Sequence, residues 1–219
     1  MTNPEIWMNR AALFELLSKG LLRPNAETAE ALASGDFAAV ASEISCAFEL
    51  PVDDRHKVAE CFYSYRGKAA ADVFHEVRQA YTHLFVGAAS PCITPYIGVW
   101  DAERRGKKGI LCVGKESEEI EGFMKRCGVA KNVAAGQAND PIDHVGTLCE
   151  FLSFLCLVNA KAVRPGEGAR IEESDFGDFF IAHFVSYARW CAGQISRYTS
   201  EPFYGGLGLL LGYAAMIDA

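Results

Sequence analysis

The chain has 219 residues, of which 50% are hydrophobic and 22% charged, and its formal net charge is −7 with a pI near 5.3. This length and composition suit a compact globular protein with a sizeable core. The acidity argues against a nucleic-acid-binding protein, whose surface would carry a basic stripe.

The N-terminus predicts a helix rather than an export signal. Asn3-Pro4 opens a segment with apolar positions at helical spacing that closes near Gly20, and the segment lacks the basic start and uninterrupted apolar run of a signal peptide. The longest apolar stretches, 151–158 and 207–216, are too short to span a bilayer. We therefore expect a cytoplasmic protein without stable membrane insertion. Its eight cysteines form no Cys-x-x-Cys pair and are expected to be reduced and structural.

Helical periodicity continues through the first third of the chain. It predicts helices over 26–33, from Asp36 to Phe48, from Asp53 or Asp54 to Tyr65, and over 70–85. The pattern stops after Gly87, and residues 88–114 hold two prolines and four glycines. Prolines and glycines at this density predict a long irregular loop. Loops of that length in compact domains are usually functional or disordered.

Further helices are predicted over 116–126, from 140 to about 162, from 174 to 197 and from 203 to 216. The predicted fold is all-α, a single globular bundle of about nine or ten helices. We expect one domain in three stretches: an N-terminal region (residues 1–86), a hinge or loop (residues 87–114) and a C-terminal region (residues 115–219).

The entry to the predicted helix at 140 is the most informative stretch. Asp140 is a good N-cap, Pro141 suits the first helical position, and Asp143 falls in the acid-favoured first turn. His144 then stands beside a carboxylate at the mouth of a buried helix. The pair either presents chemistry or a recognition point to a cleft, or Asp143 merely completes a cap and His144 is a partly exposed surface residue.

Three sequence blocks follow one another at a distinctive spacing. The first reads Tyr-Thr-His-Leu-Phe-Val-Gly over 81–87 and is followed by Pro91, Pro95 and Trp100. The second reads Pro-Ile-Asp-His over 141–144, with Glu-Phe-Leu-Ser-Phe-Leu over 150–155, and the third is the aromatic helix 180–190 followed by Phe-Tyr-x-x-Leu at 203–207. Over about residues 70–216 these blocks resemble the TorD/DmsD family of redox-enzyme maturation chaperones. The first block departs from the family pattern at Ala88, where the family has a proline.

The resemblance implies a chaperone rather than an enzyme, with no metal and no cofactor beyond weak guanine nucleotide binding. Such proteins bind the twin-arginine leader or the apo catalytic subunit of a molybdopterin oxidoreductase, assist cofactor insertion and delay export. A leader of paired arginines and an apolar helix needs an apolar groove with carboxylates at one end. We expect Asp143 and Glu150, seven residues apart on one helical face, to supply the acids. The residues that the resemblance assigns to this groove are Pro141, Asp143, His144, Glu150, Leu84, Phe85, Tyr96 and Trp100.

Other interpretations remain open at this point. A nitrate-reductase-type assembly chaperone would recognise a non-leader segment of its client. A small helical hydrolase would use Asp143 and His144 as a base and its orienting partner, although no nucleophile or metal site accompanies them. A nucleotide-binding regulator would use the basic run of Arg104, Arg105, Lys107 and Lys108. We expect a monomer, with a dimer formed by exchange of helices as the alternative.

Overall fold

The computed structural model describes residues 3–87, 90–111, 114–129 and 141–218 of the chain. Within these ranges the regular elements are α1 (Pro4–Leu21), α2 (Ala26–Ser34), α3 (Asp36–Ala47), α4 (Val52–Tyr63), α5 (Ala70–Tyr81), α6 (Ile97–Arg104), α7 (Lys115–Arg126), α8 (Val145–Asn159), α9 (Asp175–Phe179), α10 (Val185–Tyr198) and α11 (Pro202–Ala214). A π-helical turn, Thr82–Val86, extends α5, and a second, Phe180–Phe184, joins α9 and α10 into one continuous helix. The predicted all-α bundle is confirmed.

Side-chain caps start several helices where the sequence predicts them. Asn3 Oδ1 accepts a hydrogen bond from the N–H of Glu5 at 3.0 Å, and Asn25 Oδ1 accepts one from the N–H of Thr28 at 2.8 Å. At α11 the Glu201 carboxylate accepts the N–H groups of Phe203 and Tyr204. Each cap satisfies donors that have no partner inside the helix.

One hydrophobic core joins the two ends of the chain. Helix α1 packs along α8 and also contacts α11, and Ser153 of α8 donates a hydrogen bond to the carbonyl of Ala11 at 3.0 Å. Gly20 lies so close to Leu207 of α11 that a Cβ atom there would stand 2.5 Å from Leu207 Cδ2. The N-terminal and C-terminal regions therefore bury their apolar faces against each other.

Two predicted boundaries are wrong. The segment predicted as an irregular loop contains α6, whose buried Ile97 and half-buried Trp100 hold it against the bundle. Helix α8 begins at Val145 rather than near residue 140, with His144 as its N-cap. Pro141 lies in the preceding turn, and Asp140 lies outside the described residues.

Helix α3 begins at Asp36, as the sequence predicts, with Gly35 (φ of 93°) as its N-cap, and α4 begins at Val52, one residue before the predicted Asp53. Asp53 and Asp54 lie in the first turn of α4 behind Pro51. Acidic side chains in a first turn still interact favourably with the helix dipole.

The seven cysteines in the described residues form no disulfide, and Cys112 lies outside those residues. Cys149 and Cys156 are buried on α8, as their spacing predicts. Burial raises the pKa of both thiols, so they act as small apolar core groups. No helix in the described ranges is long and apolar enough to cross a bilayer.

Candidate functional site

The second proline of the first block and the Pro-Ile-Asp-His turn lie side by side. Tyr96 and His144 form an isolated antiparallel bridge, with their rings 5.6 Å apart. The N–H of Ile97 donates to the carbonyl of Asp143 at 3.0 Å, and the N–H of Val145 donates to the carbonyl of Pro95 at 2.9 Å. The start of α6 and the start of α8 are thus bound to each other through their backbones.

Asp143 is fully buried at the point where three segments meet. Its Oδ2 accepts hydrogen bonds from the N–H of Gly98 at 3.1 Å and the hydroxyl of Ser117 at 2.8 Å, while Oδ1 has no partner among the described residues. Both donors stand in the first turns of helices, α6 and α7, whose N-termini carry partial positive charge. This arrangement offsets some of the cost of burying the carboxylate.

The backbone of residue 98 lies so close to Asp143 and Ser117 that only glycine fits there. A Cβ atom on Gly98 would stand 2.3 Å from Ser117 Oγ and 2.8 Å from Asp143 Oδ2. Sequence reasoning missed both Gly98 and Ser117. Ser117 lies among charged residues in 115–119, a setting typical of solvent-exposed side chains. No local pattern indicates that its hydroxyl bonds to Asp143.

His144 is fully buried and performs a capping role. Its Nδ1 accepts the N–H of Gly146 at 3.1 Å, so Nδ1 is unprotonated and the ring hydrogen of the neutral form is on Nε2. Nε2 lies 3.4 Å from the hydroxyl of Tyr81, in the first sequence block. The partly exposed surface position considered from the sequence is therefore wrong, and His144 joins the first and second blocks inside the protein.

Leu84 and Phe85 also face the core. They are 0% and 4% exposed within the π-helical turn, and the Phe85 ring packs against Tyr81 and Tyr204 with centroids 5.2 and 5.6 Å away. Pro141 is buried as well. In this conformation these side chains shape the bundle from within and are not open to a peptide.

Three of the assigned residues reach the surface. Tyr96 and Trp100 are half-buried, with Trp100 packed against Tyr187 and Trp190. Glu150 is exposed on α8. The predicted common helical face of Asp143 and Glu150 is wrong, because Asp143 precedes the helix and is sealed inside the bundle.

A groove opens on the outer side of the first block and is called here the α5 groove. Its volume is about 830 Å³, and it is lined by His75, Arg78, Gln79, Thr82, His83, Gly87, Ser90 and Cys92. Among these described lining residues there is one arginine and no carboxylate. These residues do not supply the acidic receptor that a twin-arginine leader needs.

The basic run of α6 and its C-terminal turn is partly neutralised. Arg104 Nη2 and Arg105 Nε lie 2.7 and 3.0 Å from the carboxylate oxygens of Asp101. Binding of a nucleotide by this run stays a prediction. Across the ranges that the structure describes, no group of three His, Cys, Asp or Glu side chains could hold a metal ion, and His183 pairs with Glu116 at 2.7 Å.

The sequence blocks that resemble redox-enzyme maturation chaperones thus lie together in one all-α bundle. The model of the family described as nitrate reductase delta subunit matches residues 52–192, more than half of the chain. The chain belongs to this family, and the resemblance to TorD/DmsD-type chaperones predicted from the three blocks is confirmed. No curated protein matches the chain.

Proposed function

We propose that the protein is a cytoplasmic, system-specific chaperone that binds the apo catalytic subunit of a molybdopterin oxidoreductase through its twin-arginine leader. It assists cofactor insertion and delays export of the client. The family match over 52–192 carries this proposal, because membership supports a maturation chaperone of a molybdoenzyme and a non-catalytic role.

We assign the residues two roles. Asp143, His144 and Pro141 are closed off from solvent and lie where the start of α6 is bonded to the start of α8, while Leu84 and Phe85 are buried in the core. Tyr96, Trp100 and Glu150 have exposed surface and are able to contact a client directly. A peptide that reached Asp143 would first have to separate the Tyr96–His144 bridge.

Recognition of a non-leader segment is a second candidate. The family match supports a maturation chaperone and does not favour this form over leader recognition. The two forms of recognition differ in the segment of the client that is bound, so the client itself discriminates between them.

Calorimetry of the purified full chain against synthetic twin-arginine leaders of molybdoenzymes from the same genome tests the proposal. Leader recognition predicts binding of one leader at micromolar affinity or tighter, which corresponds to about −8 kcal/mol or better. If no leader binds but the apo catalytic subunit is captured without its leader, the non-leader form is correct. If neither the leaders nor the apo subunits bind, the chaperone proposal fails.

A further inference from the structure

One stretch of the sequence is strongly acidic. Residues 24–54 contain no lysine, arginine or histidine and seven acidic residues: Glu27, Glu30, Asp36, Glu43, Glu49, Asp53 and Asp54. This stretch therefore has a formal charge of −7, spread over α2, α3 with the turn that follows it, and the first turn of α4.

An apolar groove opens on this acidic side of the bundle. It lies between α1, α2 and α3, has a volume of about 290 Å³, and is lined by Ala12, Glu15, Leu16, Lys19, Ala31, Asp36, Phe37 and Val40. We call it the α1–α3 groove. Val40 at its edge is 42% exposed, and Met8, one turn before Ala12 on α1, is 45% exposed. Val40 and Met8 thus add exposed apolar area beside the groove.

The charged lining residues of the α1–α3 groove are Glu15, Lys19 and Asp36, and the Arg66 side chain lies beside Gly35, the residue before Asp36. Among its described lining residues Lys19 is the only base, and Lys19 is bound to Glu15 at 2.8 Å. Asp36 and Glu43 flank Val40 on α3, four residues before it and three after it. Neither forms an ion pair with any residue that the structure describes. The groove thus presents an apolar edge between two available carboxylates about 10 Å apart along the helix.

We propose that the α1–α3 groove docks a basic, apolar, helix-forming segment of the client. This proposal rests on the proposed function, since it names the surface where a segment of that chemistry binds. The volume equals that of about ten water molecules, which suits one or two anchoring apolar side chains rather than a whole peptide. The rest of the helix lies across α1 and α3, where its arginines reach Asp36 and Glu43.

The other two surfaces considered for this segment fit it less well. The Asp143 carboxylate is buried and already accepts two hydrogen bonds, and the α5 groove carries His75, Arg78 and His83. The α1–α3 groove also precedes residue 52, where the family match begins. Its lining residues therefore all lie outside the matched range.

Fluorescence polarisation with the full chain and two designed peptides tests this docking site. One labelled probe is an amphipathic helix of leucine, alanine and arginine, and the other is the same helix with glutamate in place of arginine. The test variants are Val40→Lys and the double variant Asp36→Asn with Glu43→Gln. Val163→Lys is the matched control, because Val163 is 37% exposed, lies far along the chain and undergoes the same chemical change.

We expect the arginine peptide to bind the wild type and the Val163→Lys control equally, and both test variants at least about tenfold more weakly. The glutamate peptide should not bind, and higher ionic strength should weaken binding of the arginine peptide. Equal affinity of Val40→Lys and Val163→Lys, or no binding of the arginine peptide to the wild type, would overturn the proposal. Circular dichroism confirms that each variant is folded.

The twin-arginine leader of the client, measured with the same variants, separates this proposal from the proposed function. A leader that binds the wild type and Val40→Lys equally well rejects the α1–α3 groove but leaves leader recognition standing. If the arginine peptide binds in a Val40-dependent way and no leader binds, the groove is correct and leader recognition is wrong.

Discussion

The buried carboxylate of Asp143 holds together the first turns of α6 and α7 and the turn before α8. If Asp143 is replaced by alanine, the N–H of Gly98 and the hydroxyl of Ser117 lose their acceptor in a buried site. Leaving two buried donors without an acceptor lowers the stability of the folded state by about 2–4 kcal/mol. We expect Asp143→Ala to lower the free energy of unfolding by that amount in a urea titration.

Asp143→Asn is the matched control for this substitution. It keeps a side-chain oxygen for the two donors and removes the charge, so its loss should be smaller, about 1 kcal/mol. Equal losses for the two variants would show that the charge, and not the hydrogen bonds, accounts for the stabilising effect. Client binding that fell in Asp143→Asn without any loss of stability would restore a direct contact role for the carboxylate.

The sequence identified Asp143 and His144 as important but misplaced them by one helical turn. Proline at a first helical position and an acid in the first turn are general tendencies, and here the side chain of His144 provides the cap instead. The cap forms because Nδ1 of a buried neutral histidine accepts the N–H of Gly146, an interaction that depends on tertiary burial. The local sequence does not show that the rest of the fold will bury His144.

At the scale of the element, the π-helical turn that extends α5 ends at Gly87, a position where a side chain does not fit. Gly87 has φ of 63°, and a Cβ atom there would stand 2.0 Å from the carbonyl oxygen of Ser90. Gly67 has φ of 82° but no neighbour within 4 Å of such an atom. We expect Gly67→Ala to cost about 1 kcal/mol of backbone strain and Gly87→Ala clearly more, because of the added clash.

Thermal and urea unfolding of the two alanine variants measures that difference. Similar losses at both positions would show that the segment after Gly87 moves easily to accept a methyl group. The glycine of the first sequence block would then be required only for its positive φ.

The N-cap of α11 makes stability depend on pH. Burial, which penalises the charged form, raises the pKa of the Glu201 carboxyl above its ordinary value of 4.5, although the N–H groups of Tyr204 and Phe203 oppose the shift. The folded protein therefore binds this proton more tightly than the unfolded chain does. Its contribution to stability falls as the pH rises from about 4.5 through the raised pKa, and is constant above it.

Glu201→Gln removes this titration while leaving an oxygen acceptor at the cap. We expect the difference in unfolding free energy, wild type minus variant, to decrease between pH 4 and about 7. Urea titrations at closely spaced pH values measure it. A difference that stayed constant or increased over this range would contradict the assignment.

The long helices were predictable from the sequence, whereas one π-helical turn and helix α6 were not. Apolar spacing predicted the long helix from 174 to 197 within one or two residues, because periodicity depends on the chain alone. The π-helical turn at Phe180–Phe184 escaped prediction, since it adjusts the register of the aromatic side chains to Phe14 of α1. Helix α6 was not predicted because the prolines and glycines around it are typical of a loop. Its stability comes from the packing of Trp100 against α10.

At the scale of the whole molecule, the predicted hinge over 87–114 stays a prediction, but its centre is firmly held. The N–H of Ile93 bonds to the carbonyl of Leu84 at 2.9 Å, that of Ile97 bonds to Asp143, and the hydroxyl of Tyr187 donates to the carbonyl of Thr94 at 2.8 Å. We expect slow amide exchange at Ile93 and Ile97 in the free protein. Fast exchange there that slowed on client binding would show that this whole segment opens.

A core shared by both ends of the chain predicts cooperative unfolding, even though chains of more than about 150 residues often unfold through intermediates. Trp7 of α1 packs against Phe176 with ring centroids 5.1 Å apart, while Trp100 and Trp190 lie together 5.9 Å apart on the C-terminal side. In a Trp7→Phe variant the tryptophan fluorescence comes only from Trp100 and Trp190. In a variant with Trp100→Phe and Trp190→Phe it comes only from Trp7.

We expect both fluorescence signals to change at the same urea concentration as the far-UV circular dichroism of the same variant. Each variant is compared with its own circular dichroism because the substitutions themselves shift stability. An earlier transition at Trp7 would show that α1 detaches as a separate unit, which would place one wall of the α1–α3 groove on a mobile element. A single transition would instead mean that the α1–α3 groove is as rigid as the rest of the core, so that a client segment meets a preformed surface and binds without the entropy cost of ordering it.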